Sequence, residues 1–191
     1  MITMKEEVMQ MMRRKENNMN REDSNTPIGA ACSKNKTTPK LLPVNLADEI
    51  GEFNLVARVI KAVAEANENW QTKPIGAAGN IYPAPMLASV LVYSYANGHY
   101  GSHDIESLIS KSPALSYICR GRRPDWNSIR KFRRRNLQAL HVALSNLFLE
   151  ILKERSQSKQ MPPETLELVA KSEADARLRI AIQTDTAVMD E

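Results

Sequence analysis

Eight basic side chains lie close together in the middle of this sequence, within CRGRRPDWNSIRKFRRRN. They are Arg120, Arg122, Arg123, Arg130, Lys131, Arg133, Arg134 and Arg135. The only acid among them is Asp125, so the local balance is +7, whereas the whole chain carries +4 and the remainder sums to −3. Because the positive charge is concentrated in one stretch, the pattern favours a binding surface for a polyanion, and nucleic acid is the first candidate.

The residue types in this stretch match the chemistry of DNA contact. Asn and Arg side chains can pair bidentately with adenine and guanine edges, and Arg and Lys also neutralise phosphates. The predicted contacts to bases and phosphates are Asn127, Ser128, Arg130, Lys131 and Arg134. The arginines predicted to grip backbone phosphates are Arg120, Arg122, Arg123 and Arg135. The alternative interpretation is a solvated basic face on an ordinary amphipathic helix.

One long helix is predicted to position these side chains. Pro124 ends the preceding segment, and the Asp125 carboxylate can accept the free N–H groups of the first turn. Apolar residues then recur every three or four positions from Ile129 to Ile151, interrupted only by Asn136, which indicates a core-facing stripe. The basic residues fall on the opposite side, and the positive end of the helix dipole is expected to attract phosphate further.

Apolar residues at helical spacing predict the remaining elements. These are a short turn at 46–50, helices at 54–66, 83–96 and 113–119, a helix capped by Ser102, and a final Ala-rich helix at 164–182. Residues 113–119 and the helix from Trp126 have the length and spacing of a helix-turn-helix. The predicted fold class is therefore all-α: a small multi-helix domain with a helix-turn-helix and a long C-terminal helix.

Composition predicts one globular domain with tails, since the chain has 191 residues of which 42% are hydrophobic and 25% charged. Three regions are predicted. Residues 1–39 are polar and are expected to form a disordered tail. Residues 40–153 are expected to form a helical DNA-binding domain, and 154–191 a linker with a C-terminal helix. No apolar run reaches the roughly 18 residues of a membrane span, and the N-terminus lacks the apolar core of a secretory signal.

Other chemistry finds little support in the sequence. Cys32 and Cys119 are far apart and match no metal-ligand spacing, so both are interpreted as reduced thiols of a cytosolic protein. His99, His103 and His141 form no ligand-like group, and no glycine-rich phosphate loop is present. The sequence therefore predicts no catalytic residue, no metal and no cofactor.

Three blocks between Tyr82 and Asn136 resemble the N-terminal domain of InsH-type insertion-sequence transposases. The first block comprises Tyr82, Pro83, Pro85, Met86, Leu87, Tyr93, Tyr95 and Gly98. The second comprises Gly101, Ser102, His103, Asp104, Ile105 and Glu106, and the third Pro124, Asp125, Trp126, Ser128, Ile129, Lys131, Phe132 and Arg133. Trp126, Ser128 and Lys131 depart from the His, Thr and Arg that are usual in the family.

The resemblance implies the DNA-binding part of a transposase, which would recognise the terminal inverted repeats of an insertion sequence during DNA transposition. The family's catalytic domain, a ribonuclease-H-like fold with an Asp-Asp-Glu triad and two metal ions, is expected to follow, and this sequence ends about where it would start. Asp185, Asp190 and Glu191 are predicted to lie in a short tail that cannot hold such a site. The chain is accordingly predicted not to be an enzyme by itself.

The partner implied by the resemblance is double-stranded DNA in the cytoplasm, at the nucleoid. A separate catalytic transposase chain and a homodimer are left open as protein partners. The alternative function is a non-catalytic protein–protein interaction module, or a truncated relic or regulator, in which 140–152 and the final helix pair with another chain.

Overall fold

The computed structural model describes residues 42–66, 70, 81–156 and 161–187. Within these ranges the chain forms α-helices and connecting turns and contains no β-strand, which confirms the predicted all-α class. The helices are α1 (Ala47–Ile50), α2 (Glu52–Glu65), α3 (Ala84–Ala96), α4 (Ser102–Ile109), α5 (Pro113–Cys119), α6 (Trp126–Arg135), α7 (Leu137–Ser156) and α8 (Pro163–Ala187). The tail predicted for 1–39, Cys32, Asp190 and Glu191 lie outside the described residues.

Helix α3 lies at the centre of the core. Every residue from Leu87 to Ala96 is buried, so this helix is enclosed on all sides, with α2, α5, α6 and α7 packed around it. It begins directly after Pro83, where a missing N–H is harmless, and Gly98 follows its end with φ +80°. Trp70 also packs on the core, with its ring stacked on Phe132 at 6.0 Å.

The long helix predicted from Asp125 to Ile151 is divided into α6 and α7 at Asn136. The backbone of Asn136 leaves the helical region at φ −123° and ψ 26°, and its side-chain amide donates to the Phe132 carbonyl at 3.0 Å. An asparagine amide competes with the helix for backbone groups, and the polar residue within the apolar stripe therefore marks a break. The prediction was right about the helical residues and wrong about their continuity.

Helix α8 belongs to the same hydrophobic core as the helices that precede it. It packs along α7 and buries Leu166, Ala170, Ala174, Leu178 and Ala181 at helical spacing. The expected boundary at residue 153 falls inside α7, and α8 extends beyond residue 182 to Ala187. Asp185, predicted in a short acidic tail, instead lies on the buried side of the last helical turn.

Ser102, predicted to cap a helix, and Ser112 both lie at helix starts, and they differ in what they do. Ser112 caps α5, since its hydroxyl oxygen accepts a hydrogen bond from the Leu115 N–H at 3.3 Å. Ser102 is not the cap of α4, because Gly101 occupies that position and the Ser102 hydroxyl donates to Asp185 instead. The sequence could not reveal this difference, because the competing acceptor lies 83 residues away. Among the described helices, none combines the length and apolarity needed to cross a bilayer.

Candidate nucleic-acid interface

Helix α6 carries the centre of the basic stretch and begins at a well-formed cap. The Asp125 carboxylate accepts hydrogen bonds from the Ser128 N–H at 2.9 Å and from the Ser128 hydroxyl at 2.7 Å. Partial burial acts to raise the pKa of Asp125, but the hydrogen bonds from Ser128 outweigh it, so the pKa lies below its usual value. The residue is therefore ionised near neutral pH, and its charge offsets the attraction for phosphate expected of the helix dipole at this end.

Six of the basic side chains are exposed to solvent. They are Arg120, Arg122, Arg123, Lys131, Arg134 and Arg135. Among the residues that the structure describes, no carboxylate forms an ion pair with any of these six. We call these six residues, together with the half-exposed Asn127 and Arg130, the basic surface.

Arg133, in contrast, is turned inward. Its side chain is 2% exposed, and its guanidinium forms an ion pair with the carboxylate of Asp185. Its Nη1 also donates to the Tyr95 hydroxyl oxygen at 3.3 Å. Of the eight basic residues in the stretch, this one serves the interior, so the charge that α6 offers to a partner is smaller than the sequence suggests.

A buried polar network holds α6 against α3, α4 and α8. Asp185 accepts hydrogen bonds from the backbone N–H and hydroxyl of Ser102 as well as from Arg133. Burial acts to raise the pKa of Asp185, but the Ser102 hydrogen bonds and the charge of Arg133 outweigh it and keep the pKa below its usual value. Burial raises the pKa of Tyr95 to about 12, so the phenol remains neutral beside Arg133. This network fixes the rotation of α6 and thereby which of its side chains face outward.

A stack of aromatic and cationic groups occupies the first turn of α6. The rings of Trp126 and His103 are stacked with centroids 4.4 Å apart and an interplanar angle of 24°. The Arg130 guanidinium carbon lies 5.2 Å from the centroid of the Trp126 ring, within the range of a cation–π contact. Trp126 is thus packed against α4 and positions Arg130, which the sequence predicted as a DNA contact.

The turn between α5 and α6 carries the three remaining arginines of the basic surface and is tied to the segment before α3. The Tyr82 hydroxyl donates to the Arg123 carbonyl at 2.9 Å, and Arg122 Nη1 donates to the Ile81 carbonyl at 2.9 Å. Arg120 adopts a left-handed conformation at φ 51°, followed by Gly121 at φ 76°. The turn is therefore a defined structure that holds its arginines in place.

Most of the predicted DNA contacts belong to the basic surface, but one of them, Ser128, does not. Arg130 and Lys131 lie one helical turn from Arg134, as the predicted outward row requires. Ser128 is 4% exposed and its hydroxyl is bonded to Asp125, so it serves the helix cap. The predicted helix-turn-helix pair, α5 and α6, is present in order, but α6 packs mainly on α3 and α4 rather than on α5.

Arg177 is a second buried arginine that the sequence analysis did not single out. Its Nη1 donates to the carbonyls of Tyr95 and Ala96, both at 2.8 Å, and its Nη2 donates to the Pro43 carbonyl at 2.6 Å. The guanidinium also lies 4.8 Å from the centroid of the Phe148 ring. It therefore supplies donors to the end of α3 and fixes α8 against the core.

The positions of Arg133, Arg177 and Asp185 along their helices could have predicted that these charged residues are buried. Arg133 follows the core residue Ile129 by four positions. Arg177 and Asp185 continue the buried row through Ala170, Ala174 and Ala181. A charged residue on the apolar side of a helix predicts a buried pair, although spacing alone does not identify the partner.

Cys119 is fully buried, and burial raises its pKa to about 11, in keeping with its interpretation as a packing residue rather than a reactive thiol. His99 and His103 are exposed, and His141 lies 3.1 Å from an oxygen of Asp175. Within the described ranges, no group of three or more His, Cys, Asp or Glu side chains is arranged to hold a metal ion.

Comparison of the chain with protein-family models, with curated proteins and with solved structures gave no match.

Proposed function

We propose that this chain binds double-stranded DNA through the basic surface, as the DNA-binding part of an insertion-sequence transposase that recognises terminal inverted repeats. The observation that carries the DNA-binding proposal is the division of the basic stretch into two sets. Arg133 is paired with Asp185 inside the protein, whereas six other cations are exposed and none forms an ion pair with a described carboxylate. The assignment to transposition rests on the sequence resemblance.

In this proposal α6 enters the major groove with its outward row. Asn127, Arg130 and Lys131 have the side-chain chemistry to reach base edges, with Arg134 one turn further on. In the same proposal Arg120, Arg122 and Arg123, on the α5–α6 turn, contact phosphates at the start of the helix. The chain acts by binding and positioning DNA, and none of these contacts requires a cofactor.

A salt titration tests the DNA-binding proposal. If six or seven cations of the basic surface meet phosphates, log affinity falls with log salt at a slope of about −5 to −6. The titration is measured by fluorescence anisotropy with a labelled duplex and the full chain. An affinity that does not change with salt would overturn the proposal.

A triple substitution distinguishes a loss of DNA binding from a loss of folding. Arg130→Ala, Lys131→Ala and Arg134→Ala together should reduce duplex affinity strongly, and the circular-dichroism spectrum should remain that of the unmodified protein. The matched control replaces Arg58, Lys61 and Arg155, cations engaged with Glu49, Glu150 and Glu154 on another part of the surface. Equal loss of affinity in both variants would indicate nonspecific attraction and contradict the assignment of α6.

Recognition of inverted repeats is tested separately by competition. Duplexes carrying the ends of the element that encodes this chain should compete better than duplexes of shuffled sequence at the same salt concentration. Equal competition would leave DNA binding intact and remove the transposon-end assignment.

A further inference from the structure

An apolar patch lies beside the arginines of the α5–α6 turn. Its exposed members are Phe53, Ile60, Ile81 and Tyr117, which are between 45% and 64% exposed. The Phe53 and Tyr117 rings meet edge to face at 6.3 Å, and Arg122 bonds the Ile81 carbonyl. Phe53 and Tyr117 are in ring contact, and Tyr117 and Ile60 line the same groove, so these side chains share one apolar surface, whereas isolated exposed ones are ordinary.

Two members of the patch, Ile60 and Tyr117, line a groove of about 550 Å³. Pro83, Pro85, Met86 and Ile118 also contribute to its lining. Among the described residues that line it, Arg120 and Arg122 are the charged ones, and none is acidic. A suitable occupant is therefore apolar where it enters the groove and acidic where it meets the two arginines.

The same chain displays a segment with this chemistry. Among the described residues, the large exposed apolar side chains outside the patch are Val44, Leu168, Ile180 and Ile182. Leu168, on the first turns of α8, is 69% exposed. Glu164 lies one helical turn before it on the same side, and Glu167 is its neighbour. Ile180 instead follows Arg179 directly, and the acid one turn beyond Ile182 is Asp185, which is buried and paired with Arg133.

Charge also argues against two patches meeting face to face, because that contact would place arginines against arginines. Contact between the groove and α8 removes this conflict. Among the described residues Glu167 pairs with Lys171, at 3.9 Å between largely exposed side chains, and such a contact is readily exchanged for an arginine.

We propose that this chain self-associates by inserting Leu168 of one copy into the groove of another, with Glu164 and Glu167 facing Arg120 and Arg122. The occupant of the groove is thus a second copy of the chain. This contact uses two arginines of the basic surface, so it competes with DNA for them, and its test is carried out without DNA.

The experiment is sedimentation equilibrium of the full chain over a range of concentrations. The unmodified protein should associate reversibly, and Leu168→Asp should weaken association about tenfold or more, as removal of a central apolar anchor does. Ile182→Asp is the matched control, since this side chain is also exposed on α8 and should leave association unchanged.

A charge exchange makes the test specific. One variant carries Arg120→Glu and Arg122→Glu, and the other carries Glu164→Arg and Glu167→Arg. Each alone should remain monomeric, because like charges then face each other, whereas an equimolar mixture should associate as the unmodified protein does.

Three results would overturn the inference: an unmodified protein that stays monomeric, an unchanged association in Leu168→Asp, or a mixture that fails to associate. Circular dichroism of each variant establishes that the helices are retained.

Discussion

Arg133 and Asp185 form a buried ion pair that joins α6 to the last turn of α8 across 52 residues of sequence. The pair connects the helix that carries the basic surface to the helix furthest along the described chain. Removing one partner leaves an uncompensated charge in a site that excludes water, which typically costs about 3–5 kcal/mol. The stability of the fold and the orientation of the proposed DNA surface therefore depend on the same contact.

The first prediction concerns this pair. Asp185→Asn should lower the free energy of unfolding by about 3 kcal/mol or more, because Arg133 keeps its charge and loses its counter-charge. Urea denaturation followed by circular dichroism measures the effect. The double substitution Arg133→Met with Asp185→Leu should recover much of the loss, since apolar residues can replace a buried pair. A single variant as stable as the unmodified protein would show that the pair is dispensable.

The pH dependence of this contribution follows from the lowered pKa of Asp185. In the unfolded chain the carboxyl titrates near its ordinary pKa of about 3.9. The stabilisation is therefore fully present well above that value and is lost as pH falls through the lower pKa of the folded state. The difference in unfolding free energy between the unmodified protein and Asp185→Asn should be constant near neutral pH and shrink in acid. A difference that grew in acid would contradict the assignment.

Asp125 offers a prediction in which DNA affinity changes and stability does not. Asn is about as good a helix cap as Asp, so Asp125→Asn should leave stability nearly unchanged. It also removes the one negative charge within the basic stretch, so duplex affinity should rise. Anisotropy titrations at low salt measure this rise, and the difference should diminish as salt is added. Weaker binding with unchanged stability would mean that Asp125 contributes more than a cap.

Trp126 is predicted to act on DNA binding by positioning Arg130. Trp126→Ala removes the ring that contacts both Arg130 and His103, so duplex affinity should fall with the helical content retained. If positioning is the cause, Arg130→Ala should have little additional effect in the Trp126→Ala background. Independent, additive losses in the double variant would show that the two side chains act separately.

Cys119 should be unreactive in the folded protein. Its pKa of about 11 and its complete burial keep the thiol protonated and inaccessible at neutral pH. In a Cys32→Ser background it is the only thiol, and a thiol-specific chromogenic reagent should label it only after urea unfolds the chain. Rapid labelling under native conditions would indicate that α5 opens readily.

The sequence predicted the helices well because their signals are local. Apolar spacing, the cap at Asp125 and the glycine after α3 each act within a few residues, and the structure contains all three. The break at Asn136 has an equally local cause, which the continuous apolar stripe concealed. Spacing could not predict contacts between residues distant in sequence. Asp185 is the partner of both Ser102 and Arg133, and the carbonyls at the end of α3 are the partners of Arg177. Charge counted along the chain therefore overstated the charge available at the surface.

The role of Arg177 has a practical consequence for anyone preparing shorter forms of this protein. A recombinant fragment ending near residue 153 would lack the guanidinium that serves the carbonyls of Pro43, Tyr95 and Ala96, and would also lack the counter-charge of Arg133. Such a fragment would retain every residue of the basic surface and still be expected to precipitate. Failure of a short fragment to bind DNA would accordingly reflect lost solubility, and cloning boundaries should extend at least to residue 187.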